Sequence, residues 1–204
     1  MSLSWRVLVL ANVIRVTPLL SYWVCAGVKK VVTIERDPLA AAIARRFFDR
    51  SAFADKIELR EGDSCEELAC LTRSACETSS CPGDLDDARL SAVGSDMAKT
   101  EFDLVFLDAG KRDYLAQRHT LVQDGLVRVG GLVVADNVIW AGEVPRHWRK
   151  VQEGDADALK PAQNRRDKVT RSLCEYVEET ARDSRWQQLV MPLRDGLSIA
   201  RRIA

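Results

Sequence analysis

Four places in the 204-residue chain put polar side chains at the end of an apolar run: Glu35 closing VVTIE, Asp63 in GDS after KIELR, Asp108 closing FDLVFLD, and Asp136-Asn137 closing LVVADN. Strands that run apolar and end polar deliver those groups to the carboxyl edge of a sheet, where open α/β sheets bind ligands. Asp108, Asp136 and Asn137 together offer two carboxylates and an amide carbonyl. That all-oxygen set suits Mg²⁺, Ca²⁺ or Mn²⁺ rather than zinc. Two acids at the rim of an apolar sheet repel each other, so a cation is their natural partner. The plainer role for each is to cap the helix that follows. Lys111 lies three residues after Asp108 on the loop over the same edge. A divalent ion beside it would favour the neutral amine and make it a candidate general base. Glu35 stands where a nucleotide-binding sheet holds a ribose, because one carboxylate can accept from both hydroxyls; its plainer reading is a solvated acid on a turn. Asp63 would lie near an adenine, or serve only as a turn residue.

These groups need strands to carry them, and the chain supplies an alternation. Arg6–Leu10 reads as a buried strand, Val31–Glu35 as a second, Lys56–Arg60 as a third, Phe102–Asp108 as a fourth and Leu132–Asn137 as a fifth. Asp37 then Pro38 predicts a capped helix through Ala40–Asp49. Tyr114–Leu126 has helical spacing, with Gly130-Gly131 ending that segment, and Asp167–Asp183 is a long amphipathic helix. Trp186–Leu193 and Leu197–Ile203 flank Asp195-Gly196, a hairpin signal. The expected fold is α/β: a Rossmann-like, doubly wound, mostly parallel seven-stranded sheet with a C-terminal antiparallel hairpin. Residues 1–204 read as one domain carrying loop inserts near 65–100 and 146–166.

Thirty basic residues balance thirty acidic ones, which excludes a nucleic-acid binder working by bulk charge. At 47% hydrophobic and 29% charged the chain is not disordered. Val7–Val28 approaches transmembrane length, but Asn12, Arg15, Pro18 and Ser21 interrupt it, so a buried strand is expected there and a membrane span is not. Six cysteines without a scaffold spacing point to free thiols in a reducing, cytoplasmic setting. Cys65, Cys70, Cys76 and Cys81 are poorly spaced for zinc, Cys25 and Cys174 read as core residues, and His119 and His147 are too few and too separated for a zinc site.

The runs VVTIERDPLAAAIAR, ELREGDS, EFDLVFLDAGKRDY, GGLVVADNVIWAGEV and MPLRDGLSIARR, in this order, resemble the metal-dependent O-methyltransferases, the family of catechol and caffeoyl-CoA O-methyltransferases. The resemblance covers Val31 to the C-terminus apart from the two inserts. It implies S-adenosyl-L-methionine and Mg²⁺ (or another divalent cation) as cofactors. Glu35 would bind the ribose, Asp63 and Ser64 would lie by the adenine, and Asp108 would face both cofactor and metal. Asp108, Asp136 and Asn137 would be the metal ligands, Lys111 the base, and Tyr114 and Trp140 neighbours of the acceptor. The acceptor would be a small catechol-like or hydroxycinnamoyl molecule. A homodimer is a further possibility, since relatives are often dimers.

The resemblance departs at the glycine-rich turn after the first strand. Aligned without gaps, that turn falls on VLANVIRVT, with Val9 at the acid, Ala11 at the first glycine and Arg15 at the second. The family also has helices before its first strand, whereas this chain starts at that strand. The metal half of the site is therefore expected intact and the cofactor half degraded. Either the chain is a degenerate or truncated relative, or the stretch before Val31 is not native to the gene. The alternative function is a catalytically impaired protein with a binding or scaffold role.

Overall fold

Runs of β-branched and aliphatic residues make the strands, and the polar residues that close them set where each stops. In the computed structural model, which describes residues 5–11, 27–73 and 101–204, the strands are β1 (Trp5–Ala11), β2 (Val28–Glu35), β3 (Ile57–Glu61), β4 (Phe102–Asp108), β5 (Val127–Asp136), β6 (Trp186–Met191) and β7 (Leu197–Arg202). The helices are α1 (Pro38–Asp49), α2 (Ser64–Arg73), α3 (Tyr114–Gln123), α4 (Glu143–Gln152), the single turn α5 (Ala156–Leu159) and α6 (Arg165–Arg182). One sheet of seven strands runs in the order β3-β2-β1-β4-β5-β7-β6. The pairs from β3 to β5 are parallel, and β7 is antiparallel to both β5 and β6. This is the doubly wound sheet with a terminal hairpin that the alternation predicts.

Side chains alternate across a strand, so β1 feeds two cores. Val7, Val9 and Ala11 face Ala44 and Phe48 of α1 together with Val31. Leu8 and Leu10 join Leu68 of α2, Leu121 of α3 and Leu173 of α6 on the other face. The expected cap of α1 is present: the Asp37 side chain accepts from Leu39 N at 3.0 Å, with Pro38 opening the helix. Asn164 caps α6 in the same way, accepting from Asp167 N at 3.0 Å.

Three sequence expectations are corrected. Gly130-Gly131 does not end an element; it lies inside β5, which begins at Val127. Gly130 takes a left-handed φ of 85°, and the β4–β5 register shifts between Phe102 and Leu104, so the ladder absorbs an irregularity rather than stopping. A Cβ on Gly131 would meet the carbonyl oxygen of Arg128 at 2.9 Å. Second, α3 ends at Gln123, not at Leu126, and Gly125 (φ 65°) turns the chain into β5. Third, residues 146–166 are not a loop: most of α4 and all of α5 fall there. Their charge misled because α4 buries only Val144 fully, with Trp148 packed at the core's margin and its indole N–H donating to Glu178 at 2.7 Å.

Arg15, Cys25, Cys76, Cys81 and most of the altered glycine turn lie outside the described residues, as does the insert beyond α2. Among the described residues no helix is long and apolar enough to cross a membrane. Cys174 is buried in α6.

Candidate active site

The parallel register lines up the polar strand ends. Glu35 pairs with Glu61, Ala11 with Asp108, and Leu107 with Ala135, which sets Asp108 and Asp136 on adjacent strands at the same level. At about 4.8 Å per strand, the carboxylate row from Glu35 to Asp136 spans roughly 14 Å. The edge spans the point where the chain turns one way from β1 to β2 and the other way to β4, the usual place for a ligand.

Asp108 and Lys111 form the centre. Lys111 Nζ lies 2.7 Å from Asp108 Oδ1 and 2.7 Å from the Tyr114 hydroxyl oxygen, with both charged side chains mostly shielded from solvent. Tyr114 is fully buried. Its hydroxyl accepts from Lys111 and has the carbonyl oxygens of Leu107 (2.8 Å) and Asp136 (3.0 Å) as acceptors for its own proton. One phenol thus bridges the ends of β4 and β5 and fixes the lysine. Burial, then the nearby Asp108, pushes the Tyr114 phenol well above its usual range, so it stays protonated. Tyr114 sits beneath the site, under the lysine.

Asp136 Oδ1 accepts from the Asn137 backbone N–H at 2.7 Å. Asn137 has φ 60°, and Trp140 (51°), Ala141 (52°) and Gly142 (81°) are left-handed as well. Asn tolerates that region, but Trp and Ala do so only when the surroundings impose it. Trp140 is partly exposed and packs at the core's edge.

At the other end of the row, Glu35 is 7% exposed and its Oε1 accepts from Asp37 N at 2.9 Å. Its carbonyl oxygen accepts from Gly62 N at 3.0 Å, tying the β2 and β3 ends together. Asp63 Oδ1 accepts from Cys65 N at 2.9 Å, so it opens α2 as a turn acid. Ser64 Oγ accepts from Gln117 Nε2 at 2.8 Å. Gln117 is fully buried on α3 and went unnoticed in the sequence, where a helical glutamine carries no signal. His119 lies away from this edge, 2.9 Å from Glu179.

The chain matches the O-methyltransferase family model over residues 83–203. The chain belongs to the O-methyltransferase family. Among its relatives, tricin synthase 1 of Oryza sativa subsp. japonica is 31% identical over 85% of this chain and 57% of that protein. Caffeoyl-CoA O-methyltransferase 1 of Eucalyptus globulus is 30% identical over 76% of this chain and 49% of that protein. The chain thus spans about half the length of the curated relatives it matches. The fold is also that of the O-methyltransferase TomG from Streptomyces achromogenes, solved in complex with SAM, with a TM-score of 0.68 at 22% identity, covering 98% of this chain and 74% of that one.

For this O-methyltransferase-family chain the strand-end row is the candidate site. A separate charged cleft of about 420 Å³ lies among α4, α5 and α6, and none of the strand-end residues lines it. Its cations are engaged: Arg146 with Glu143, Lys160 with Asp157, and Arg171 with the carbonyl oxygen of Ala158.

Proposed function

We propose that this chain is an S-adenosyl-L-methionine-dependent O-methyltransferase that acts, with a divalent cation such as Mg²⁺, on a hydroxyl of a small catechol-like or hydroxycinnamoyl acceptor. The observation that carries the reading is Lys111, held between Asp108 and Tyr114 at 2.7 Å from each, beside a second strand-end carboxylate. The caffeoyl-CoA name of one relative and the SAM complex of a structural neighbour support the acceptor class and the cofactor.

The residues fit both groups by chemistry. Asp108, Asp136 and Asn137 are hard oxygen donors on adjacent strand ends, the set a Mg²⁺-like ion takes. Among the described residues no group of three His, Cys, Asp or Glu side chains is placed to hold a metal ion, so the proposed set depends on the Asn137 amide oxygen as its third donor. The buried Glu35 carboxylate lies two strands from Asp108, suited to a ribose, with Asp63 and Ser64 beyond it for an adenine. A divalent cation there would supply charge that favours ionisation of the acceptor hydroxyl.

Lys111 is the base to which the acceptor hydroxyl would pass its proton. Asp108 and Tyr114 then hold the ammonium with two hydrogen bonds already in place, so little reorganisation accompanies the transfer. Bound S-adenosyl-L-methionine would supply an electrophilic methyl group: the acceptor oxygen would bond to the methyl carbon as its bond to sulfur breaks and S-adenosylhomocysteine leaves, and alignment by the strand-end residues would supply much of the acceleration. Trp140 borders the acceptor.

Calorimetric titration of the chain with S-adenosylhomocysteine, with and without Mg²⁺, followed by methyl transfer to catechols and caffeoyl-CoA, tests this. Micromolar binding and a Lys111→Met variant about 10²–10⁴-fold slower are expected. A folded chain that binds no S-adenosylhomocysteine, or a Lys111→Met variant with full activity, would overturn it.

A further inference from the structure

The loop that leaves β5 is held by the hairpin turn between β6 and β7. Val138 N donates to the carbonyl oxygen of Gly196 at 3.1 Å, and Ile139 N and Trp140 N both donate to that of Asp195, at 2.8 and 3.3 Å. Ala141 N donates to Asp195 Oδ1 at 3.3 Å. Four successive amides are thereby satisfied by two residues. Gly196 is buried at φ 86°, and a Cβ there would stand 2.3 Å from Ile139 Cγ1. The close approach needs glycine on steric grounds as well as conformational ones. The same stretch carries the left-handed residues Asn137, Trp140 and Ala141, a shape that Trp and Ala do not choose unaided.

We propose that Asp195 and Gly196 are positioning residues for the site: the turn imposes the conformation of residues 137–142 and so places the Asn137 side chain and Trp140. This rests on the reading of Asn137 as a metal ligand and Trp140 as an acceptor neighbour. Groups that orient ligands matter to metal affinity by about 10–100-fold in other proteins. Here the control is exerted through the backbone, from a turn that touches neither Asp108 nor Lys111 in the hydrogen bonds described.

The test uses the full chain and three measurements: hydrogen exchange of peptides spanning 137–144, Mn²⁺ binding by electron paramagnetic resonance, and S-adenosylhomocysteine binding by calorimetry. Asp195→Ala removes the side-chain acceptor. Exchange over 137–144 should quicken about fivefold, as loss of one hydrogen bond allows, and Mn²⁺ binding should weaken about five- to tenfold. S-adenosylhomocysteine affinity should stay within about twofold, because Glu35 and Asp63 lie at the far end of the row. Asp195→Asn keeps an acceptor oxygen and should restore both properties. Gly196→Ala should do more than Asp195→Ala, with Ile139→Ala recovering part of the loss; if Gly196→Ala does not fold, the Asp195 pair decides. Unchanged exchange, an Asp195→Asn variant as impaired as Asp195→Ala, or parallel loss of both ligands would overturn the proposal. A wild-type chain that binds no Mn²⁺ would refute the metal reading and with it the proposed placement of a metal ligand, whereas the exchange measurement would separately decide whether the turn holds the loop.

Discussion

Replacing Tyr114 by phenylalanine removes one oxygen from a buried position and leaves the ring in place. That oxygen accepts from Lys111 and reaches the carbonyl oxygens of Leu107 and Asp136. Its loss leaves a largely shielded ammonium with Asp108 as its remaining hydrogen-bond partner among the described residues and strips a donor from two strand ends. A hydrogen bond to a charged group is worth about 1.5–3 kcal/mol and a neutral one about 0.5–1.5. The expected destabilisation is therefore about 2–4 kcal/mol, and the thermal midpoint should fall by roughly 5–15 °C for a chain of this size. Urea unfolding followed by circular dichroism measures it, with Lys111→Met and the double variant completing a cycle. Residues in direct contact couple by about 0.5–3 kcal/mol, so the two substitutions should cost less together than the sum of their separate effects. A Tyr114→Phe variant within about 0.5 kcal/mol of wild type would refute the bridging role. So would one that keeps its stability and loses only methyl transfer, since that places the hydroxyl on the acceptor.

Arg118 is 5% exposed and lies 2.6 Å from Asp183, which Arg185 also engages; Asp183→Asn should cost about 3 kcal/mol in urea unfolding, because it leaves a buried guanidinium unpaired. Hydrogen bonds from Arg185, and further from Arg118, hold the Asp183 carboxyl well below its usual range. The stability it contributes is thus present above the ordinary carboxylate range and lost as pH falls through its depressed value, so Asp183→Asn should flatten the acid limb of the stability curve. Burial pushes both the Cys174 thiol and the Tyr176 phenol up to about 12. A raised folded value favours the protonated form, so this stability is full below about 9, the ordinary thiol value, and is lost as pH rises toward 12. Cys174→Val should make the alkaline decline shallower, and an unchanged slope would count against the burial argument. Gly131→Ala should destabilise by about 1–3 kcal/mol, because its Cβ meets the carbonyl oxygens of Arg128 and Phe102 as well as Val127 Cγ1; a neutral result by thermal denaturation would show that β5 can shift.

The strand that carries Asp108 was legible to the residue, because Phe102–Asp108 is a nearly unbroken apolar run with a charged stop. Asp37-Pro38 likewise announced α1, and Asp195-Gly196 announced the hairpin. The misreadings share a cause. A glycine pair breaks an isolated strand, but inside a ladder β4 pairs with Val127 before the glycines and with Leu132 after them, so β5 runs on through Gly130. A charged stretch looks like a loop until α6 is present for Val144 and Trp148 to pack beside. The candidate site divides in the same way. Its acids stand where local pattern placed them. What Gln117 and Asp195 do depends on partners 53 and 54 residues distant, and Tyr114 reaches Asp136, 22 residues on; no local pattern announces that.

The separation between Ala141 and Asp195, 54 residues, has a consequence during synthesis. A ribosome adding about 5–20 residues per second makes the loop about 3–11 s before it makes the turn that shapes it. In that interval β1, β2, β4 and β5 have been made, while Asn137 and Trp140 belong to a loop with no clamp. The candidate site is therefore finished late, by the hairpin, and a nascent chain halted before Gly196 would carry Asp108 and Asp136 without the turn that holds the loop after β5.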